Sequence, residues 1–132
     1  MTSTNTGIVL FAHGSRDPLW RAPIDAVAQA IAAQSPACLV RCAFLELTTP
    51  DLPTVVDELL SLGVTAVRIV PMFLGVGRHA REDLPELVVQ LRAQHPELQM
   101  ELMPSVGEHP ALTALLAQIA LGTAPNPQNH KA

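Results

Sequence analysis

Three of the chain's five histidines follow short apolar runs: His13 comes directly after "LFA" and before Gly14-Ser15-Arg16, His79 stands in "GVGRHARED", and His109 in "SVGEHP". A neutral imidazole offers a lone pair near physiological pH, so a ring at the end of a buried strand serves either as a metal ligand or proton acceptor, or as a ring hydrogen-bonded to a neighbouring loop. Gly14 lets a ligand approach the backbone, and Ser15 with Arg16 can meet an anion where a helix begins. Around His79, Gly75 and Gly77 remove side chains while Arg78, Arg81, Glu82 and Asp83 supply charge; the alternative is an ordinary solvated lead-in to a helix. Glu46 closes an otherwise apolar run, where a carboxylate needs a partner, either a functional one or a structural salt bridge. Two imidazoles and one carboxylate suit a borderline divalent ion such as Fe²⁺, Co²⁺, Ni²⁺ or Zn²⁺. With no HxxxH or CxxC pair, the spacing points to an open, transiently occupied site. His95, before Pro96, and His130, near the end, read as solvated bystanders.

These residues must be positioned by elements that alternate regularly. "GIVLFAH" (7–13), "CLVRCAFLEL" (38–47), "AVRIVPMFL" (66–74) and "LQMELMP" (98–104) read as strands. Between and after them come four helical patterns. "PLWRAPIDAVAQAIAAQ" (18–34) has a regular part that begins near Ala22, and "TTPDLPTVVDELLSLG" (48–63) carries Thr49 as cap and Gly63 as stop. "DLPELVVQLRAQ" (83–94) has Asp83 and Glu86 at capping-box spacing, and "HPALTALLAQIAL" (109–121) is the last. Residues 1–121 then form one domain and "GTAPNPQNHKA" (122–132) a mobile tail. Strict βα alternation with nearly continuous apolar strands predicts an α/β fold: a doubly wound, flavodoxin-like four-stranded parallel sheet with helices on both faces. Ligands of such sheets bind beyond the carboxyl ends of the strands. His13, Glu46, His79 and His109 all fall there.

The 132 residues suffice for one core, and 48% hydrophobic against 15% charged residues describe a core-rich globular chain. A net charge of −4 gives no footprint for nucleic acid and no polybasic membrane patch. No apolar run approaches the ~20 residues of a membrane span, and "MTSTNTG" lacks a secretory signal pattern, so a cytoplasmic protein is expected. Cys38 and Cys42 lie four apart in one expected strand, roughly 13 Å at about 3.3 Å per residue. That separation excludes a disulfide between them and reads as two small, partly buried side chains.

"LFAHGSRDP", "AFLELTTPDLPTVVDEL" and "VRIVPMFLGVGRHAREDLPEL" together resemble the class II tetrapyrrole chelatases, the sirohydrochlorin cobalto- and ferrochelatases and their short relatives, from about Gly7 to Leu121. The resemblance implies insertion of Co²⁺, Fe²⁺ or Ni²⁺, as a substrate, into a metal-free tetrapyrrole such as sirohydrochlorin, on the route to sirohaem or cobalamin, with no organic cofactor. It matches His13 and His79 to the family's metal-binding, proton-accepting histidines and Glu46 to an acidic position near the cleft, and leaves His109 peripheral. Arg16, Ser15 and Arg78, with Arg81, are then the candidates for the macrocycle's carboxylates. Long members carry two such domains around one cleft, so the single domain implies a homodimer about a two-fold axis.

Two other classes compete. A histidine after the first strand of a small parallel α/β fold is also where sugar-transport phosphocarrier domains place their phosphorylated residue, and that reading has no need for His79. A metal-binding or metal-delivery module without turnover is the third.

Overall fold

The computed structural model describes residues 5–125. Strands β1 (Thr6–Ala12), β2 (Leu39–Phe44), β3 (Ala66–Pro71) and β4 (Gln99–Leu102) alternate with helices α1 (Ala22–Gln34), α2 (Leu52–Ser61), α3 (Arg78–Gln94) and α4 (Pro110–Leu121). The strands form one sheet in the order β2-β1-β3-β4. All three pairings are parallel, as the βα alternation requires. The switch in strand order falls at β1, whose neighbours leave it on opposite sides. The carboxyl end of β1, where His13 stands, is therefore the point at which crossovers diverge and a crevice opens.

Alternation along the strands separates two faces. Val9 and Phe11 of β1, Ala43 of β2 and Val67 and Ile69 of β3 belong to one core cluster. Against them lie Leu52, Val55, Val56 and Leu59 of α2 and Ala80, Leu84, Val88 and Leu91 of α3, at the three- and four-residue spacings that place side chains on one helical stripe. The opposite face presents Leu10 and Cys42, paired in register. Cys42 meets Asp25 of α1, and Trp20, in a 3-10 turn (Pro18–Arg21) ahead of α1, packs on Phe44 with ring centroids 6.1 Å apart.

Several boundaries differ from the sequence reading. The strands stop earlier, β2 at Phe44 and β3 at Pro71, so that Glu46 lies in the loop beyond β2. The cap of α2 is Asp51, not Thr49: the Asp51 carboxylate accepts the Thr54 N–H at 3.0 Å, which Thr49, two residues further back, does not. Helix α3 begins at Arg78 with Gly77 as its cap, so Asp83 and Glu86 are mid-helix residues rather than a capping box. The capping-box spacing set the later start in the sequence reading; in the structure Pro85 sits inside the helix, leaving the Arg81 carbonyl without its usual donor. Of the expected tail, Gly122 ends α4 in a left-handed conformation and residues 126–132, including His130, lie outside the described residues.

Candidate metal and proton site at the carboxyl edge

Beyond the end of β1 and β2 the two chains continue to pair as loops. Leu45 N–H donates to Ala12 C=O at 2.9 Å and Glu46 N–H to His13 C=O at 3.0 Å. Gly14 then turns over the second chain with φ of 107°, and a Cβ there would stand 1.7 Å from the Glu46 carbonyl oxygen. Only glycine fits on both counts. Leu47 turns the other chain away with φ of 65°, a left-handed conformation uncommon for a branched side chain. One residue later the Thr48 hydroxyl accepts Ser15 N–H at 3.0 Å and donates to Ser15 C=O at 2.8 Å. The consequence is a fixed separation between side chains on different loops: His13 Nε2 lies 3.0 Å from Glu46 Oε2, with both side chains about half exposed at 55%.

The pair is open to solvent yet held by a rigid frame. An imidazole nitrogen and a carboxylate oxygen at this distance share a proton, and the same two atoms are acceptable ligands for a borderline divalent ion. Nearby, the Ser15 hydroxyl accepts Asp17 N–H at 3.1 Å and Arg16 is exposed.

His79 lies in the first turn of α3 rather than in a free loop. Its ring is almost fully exposed, at 97%, and Nδ1 lies 3.5 Å from Asp83 Oδ2, one turn on. Arg78 in the same turn donates to Glu82 at 3.2 Å, and Arg81 donates to the Val76 carbonyl at 3.3 Å. The structure thus brings His13 and Glu46 together and pairs His79 separately. Among the described residues, no three His, Cys, Asp or Glu side chains stand close enough to share one ion.

His109 plays a structural part, since its Nδ1 accepts Ala111 N–H at 3.0 Å and so caps α4. Its loop is locked to the one after β3, because Ser105 Oγ and Gly107 N–H both donate to Phe73 C=O, at 3.1 and 2.9 Å. A Cβ on Gly107 would stand 1.8 Å from the Leu74 carbonyl oxygen, so this contact too depends on glycine. Between this loop, β3 and α4 lies an apolar cleft of about 700 Å³, walled by Val70, Met72, Met103, Val106, Leu112 and Leu115.

Away from the edge, Arg21 forks onto Asp25, with bonds of 2.9 to 3.2 Å, while its guanidinium lies 4.8 Å from the centre of the Phe44 ring. Burial, followed by the Asp25 charge, pushes the Cys42 thiol above its ordinary value, which keeps it neutral. Cys38 and Cys42 are both free. The sequence reading passed over Thr48, for which a hydroxyl two residues beyond Glu46, in a loop that must stay beside "HGS", was the available signal; Asp83 was among the charges expected around His79, but its pairing one helical turn on was not.

A four-stranded parallel α/β sheet with titratable side chains on the loops beyond β1 and β2 and in the first turn of the helix after β3 has the architecture of the chelatases. The CbiX family model matches residues 7–121, and the chain belongs to that family, the class II sirohydrochlorin chelatases. It is 34% identical over 86 residues to a sirohydrochlorin cobaltochelatase from Methanococcoides burtonii, a match that covers 65% of this chain and 66% of the relative. For the sirohydrochlorin cobaltochelatase of Methanococcus aeolicus the identity is 30% over 81 residues, 61% of this chain and 57% of the relative. The chain thus spans less than two thirds of the length of these curated relatives. Among solved structures, the CbiX protein of Marinobacter aquaeolei VT8 superposes with a TM-score of 0.77 at 30% identity, over 89% of this chain and 95% of that one.

Proposed function

We propose that this chain inserts a divalent metal ion, Co²⁺, Fe²⁺ or Ni²⁺, into a metal-free tetrapyrrole such as sirohydrochlorin, acting as a chelatase (lyase) on a sirohaem- or cobalamin-type route. The observation that carries the reading is the exposed His13–Glu46 pair, 3.0 Å apart, at the switch point of the sheet in a CbiX-family chain.

Insertion replaces two pyrrole N–H protons with one M²⁺, so the protein must give up an ion and accept protons at the same place. His13 Nε2 and Glu46 Oε2 are suited to both. When they hold the ion, the proton they otherwise share is displaced; when the ion passes to the macrocycle, two lone pairs become free for the two departing protons. A closed cage of three or four ligands would bind too tightly to release its cargo, and the described residues contain no such cage. His79 is the second metal-binding imidazole in this reading, with Asp83 in the role that Glu46 plays for His13. Ser15 and Arg16 on one loop and Arg78 on the other meet the macrocycle's carboxylates, Arg78 by exchanging its exposed partner Glu82.

The domain in this reading is residues 1–121, with 122–132 as a tail, and it works as a homodimer. The support for a second copy is the uncovered apolar surface of α4, where Leu115, Leu116, Ile119 and Leu121 are all exposed beside the 700 Å³ cleft. A cytoplasmic setting belongs to the same reading and is compatible with two free cysteines. No helix among the described residues is long and apolar enough to cross a membrane. The phosphocarrier reading fares worse, because it asks His13 to accept an anionic phosphoryl group beside the Glu46 carboxylate.

The test is to mix the protein with sirohydrochlorin and each metal in turn and follow the macrocycle's absorption. Faster metallation than in the protein-free mixture supports the reading. Metal and tetrapyrrole binding without acceleration would leave a delivery module instead.

A further inference from the structure

We propose that Thr48 is the positioning residue of the His13–Glu46 pair, an assignment that rests on reading that pair as the metal-inserting centre. His13 and Glu46 belong to different loops, 33 residues apart in sequence, and both side chains are half exposed. Packing therefore does not hold them at 3.0 Å; the backbone beneath them must. The β1–β2 ladder supplies that backbone as far as Glu46 N–H on His13 C=O, and there it ends, because Leu47 turns away in its left-handed conformation.

Without a further tie, His13 and Gly14 would be fixed on one side only. The Thr48 hydroxyl provides the tie by doing what a backbone amide and carbonyl do together: it accepts Ser15 N–H at 3.0 Å and donates to Ser15 C=O at 2.8 Å. His13 and Gly14 are thereby clamped between two sets of bonds, one at His13 C=O and one at Ser15. Gly14, lying against the Glu46 carbonyl, completes the contact between them. The Thr48 side chain is part-buried and committed to the backbone of Ser15, and it acts on the reaction only through the separation it sets between the imidazole and the carboxylate.

Thr48→Val keeps the branched shape and deletes both bonds, whereas Thr48→Ser keeps the hydroxyl. Three measurements follow at one fixed pH: amide hydrogen exchange at Ser15, long-range ring-nitrogen spectra of His13, and kcat with KM for Co²⁺ insertion into sirohydrochlorin. The expected result for Thr48→Val is faster exchange at Ser15 and His13 ring-nitrogen shifts moved towards those of Glu46→Gln. With them comes a kcat loss of about 10- to 100-fold, the scale of an ångström-sized misplacement, with KM for the tetrapyrrole changed less than about 2-fold. Thr48→Ser restores the ring spectrum and brings kcat back to within about 3-fold of wild type on the same scale. A Thr48→Val protein with the wild-type His13 spectrum, or a Thr48→Ser protein as impaired as Thr48→Val, overturns the proposal. The exchange and ring spectra need no turnover, so they decide the role of Thr48 even if the wild-type chain inserts no metal and the functional reading fails.

Discussion

The two faces of the sheet are finished to different degrees. On the α2/α3 side, strand residues such as Phe11 and Ile69 and helix residues such as Leu59 and Val88 are at most about 1% exposed, and they form one continuous core. On the α1/α4 side no residue of either helix is fully buried, and α4 presents leucine and isoleucine on its outer surface. The difference lies in helix patterning: α2 and α3 carry an apolar stripe with polar residues opposite, whereas α4 is apolar almost all round and has no polar side to turn outward. One face closes the core of the single chain, and the other leaves apolar surface uncovered, the surface proposed above to meet a second copy. The His13–Glu46 pair stands at the carboxyl edge where both faces end.

The contrast between the faces is tested most severely where burial is greatest. Leu59→Ala, at a completely buried position on the packed face, should lower unfolding free energy by about 2–5 kcal/mol. Urea denaturation measures it, and a loss well under that range would mean the core is not where the structure places it. A smaller effect comes from the cap that fixes the start of α2: Asp51→Ala should cost about 1 kcal/mol. Hydrogen bonds from Thr54 hold the Asp51 carboxyl below its ordinary range, so the cap's charged form stabilises the fold at neutral pH. That contribution is complete above the unfolded value of about 4 and is lost as pH falls through the lower folded value. Asp51→Asn, which keeps an acceptor but cannot ionise, should flatten that part of the acid limb. The smallest effect on folding is expected on the open face. Ile119→Ser should change unfolding of the isolated chain by no more than about 0.5 kcal/mol. The same substitution should shift self-association towards monomer in sedimentation, and an unchanged association state would remove α4 from the subunit contact.

Much of this arrangement was legible in the residues and some was not. Apolar runs ending at His13 and Glu46 placed both at the carboxyl edge because strand ends follow from where β-branched and apolar residues stop. The 3.0 Å contact between them could not be read in the same way. It depends on Leu47 entering a left-handed turn and on a threonine hydroxyl replacing a backbone group, neither of which periodicity records. His79 shows the converse. The residue itself was singled out, but the capping-box spacing of Asp83 and Glu86 suggested a later helix start, so a first-turn residue paired to Asp83 read as a loop residue. The exposed α4 surface was hidden for another reason: the pattern of 109–121 does not say which of its apolar residues a single chain covers, and only the packed structure shows them left exposed.

If His13 and Glu46 together exchange a metal ion for protons, removing the imidazole must slow the chemical step itself. The rate of Co²⁺ insertion into sirohydrochlorin at saturating substrate, for wild type beside His13→Ala, reads that step. Loss of a positioned proton acceptor predicts a fall of about 10²- to 10⁴-fold, with circular dichroism and tetrapyrrole binding retained. Insertion by His13→Ala at the wild-type rate would contradict the joint role of the pair.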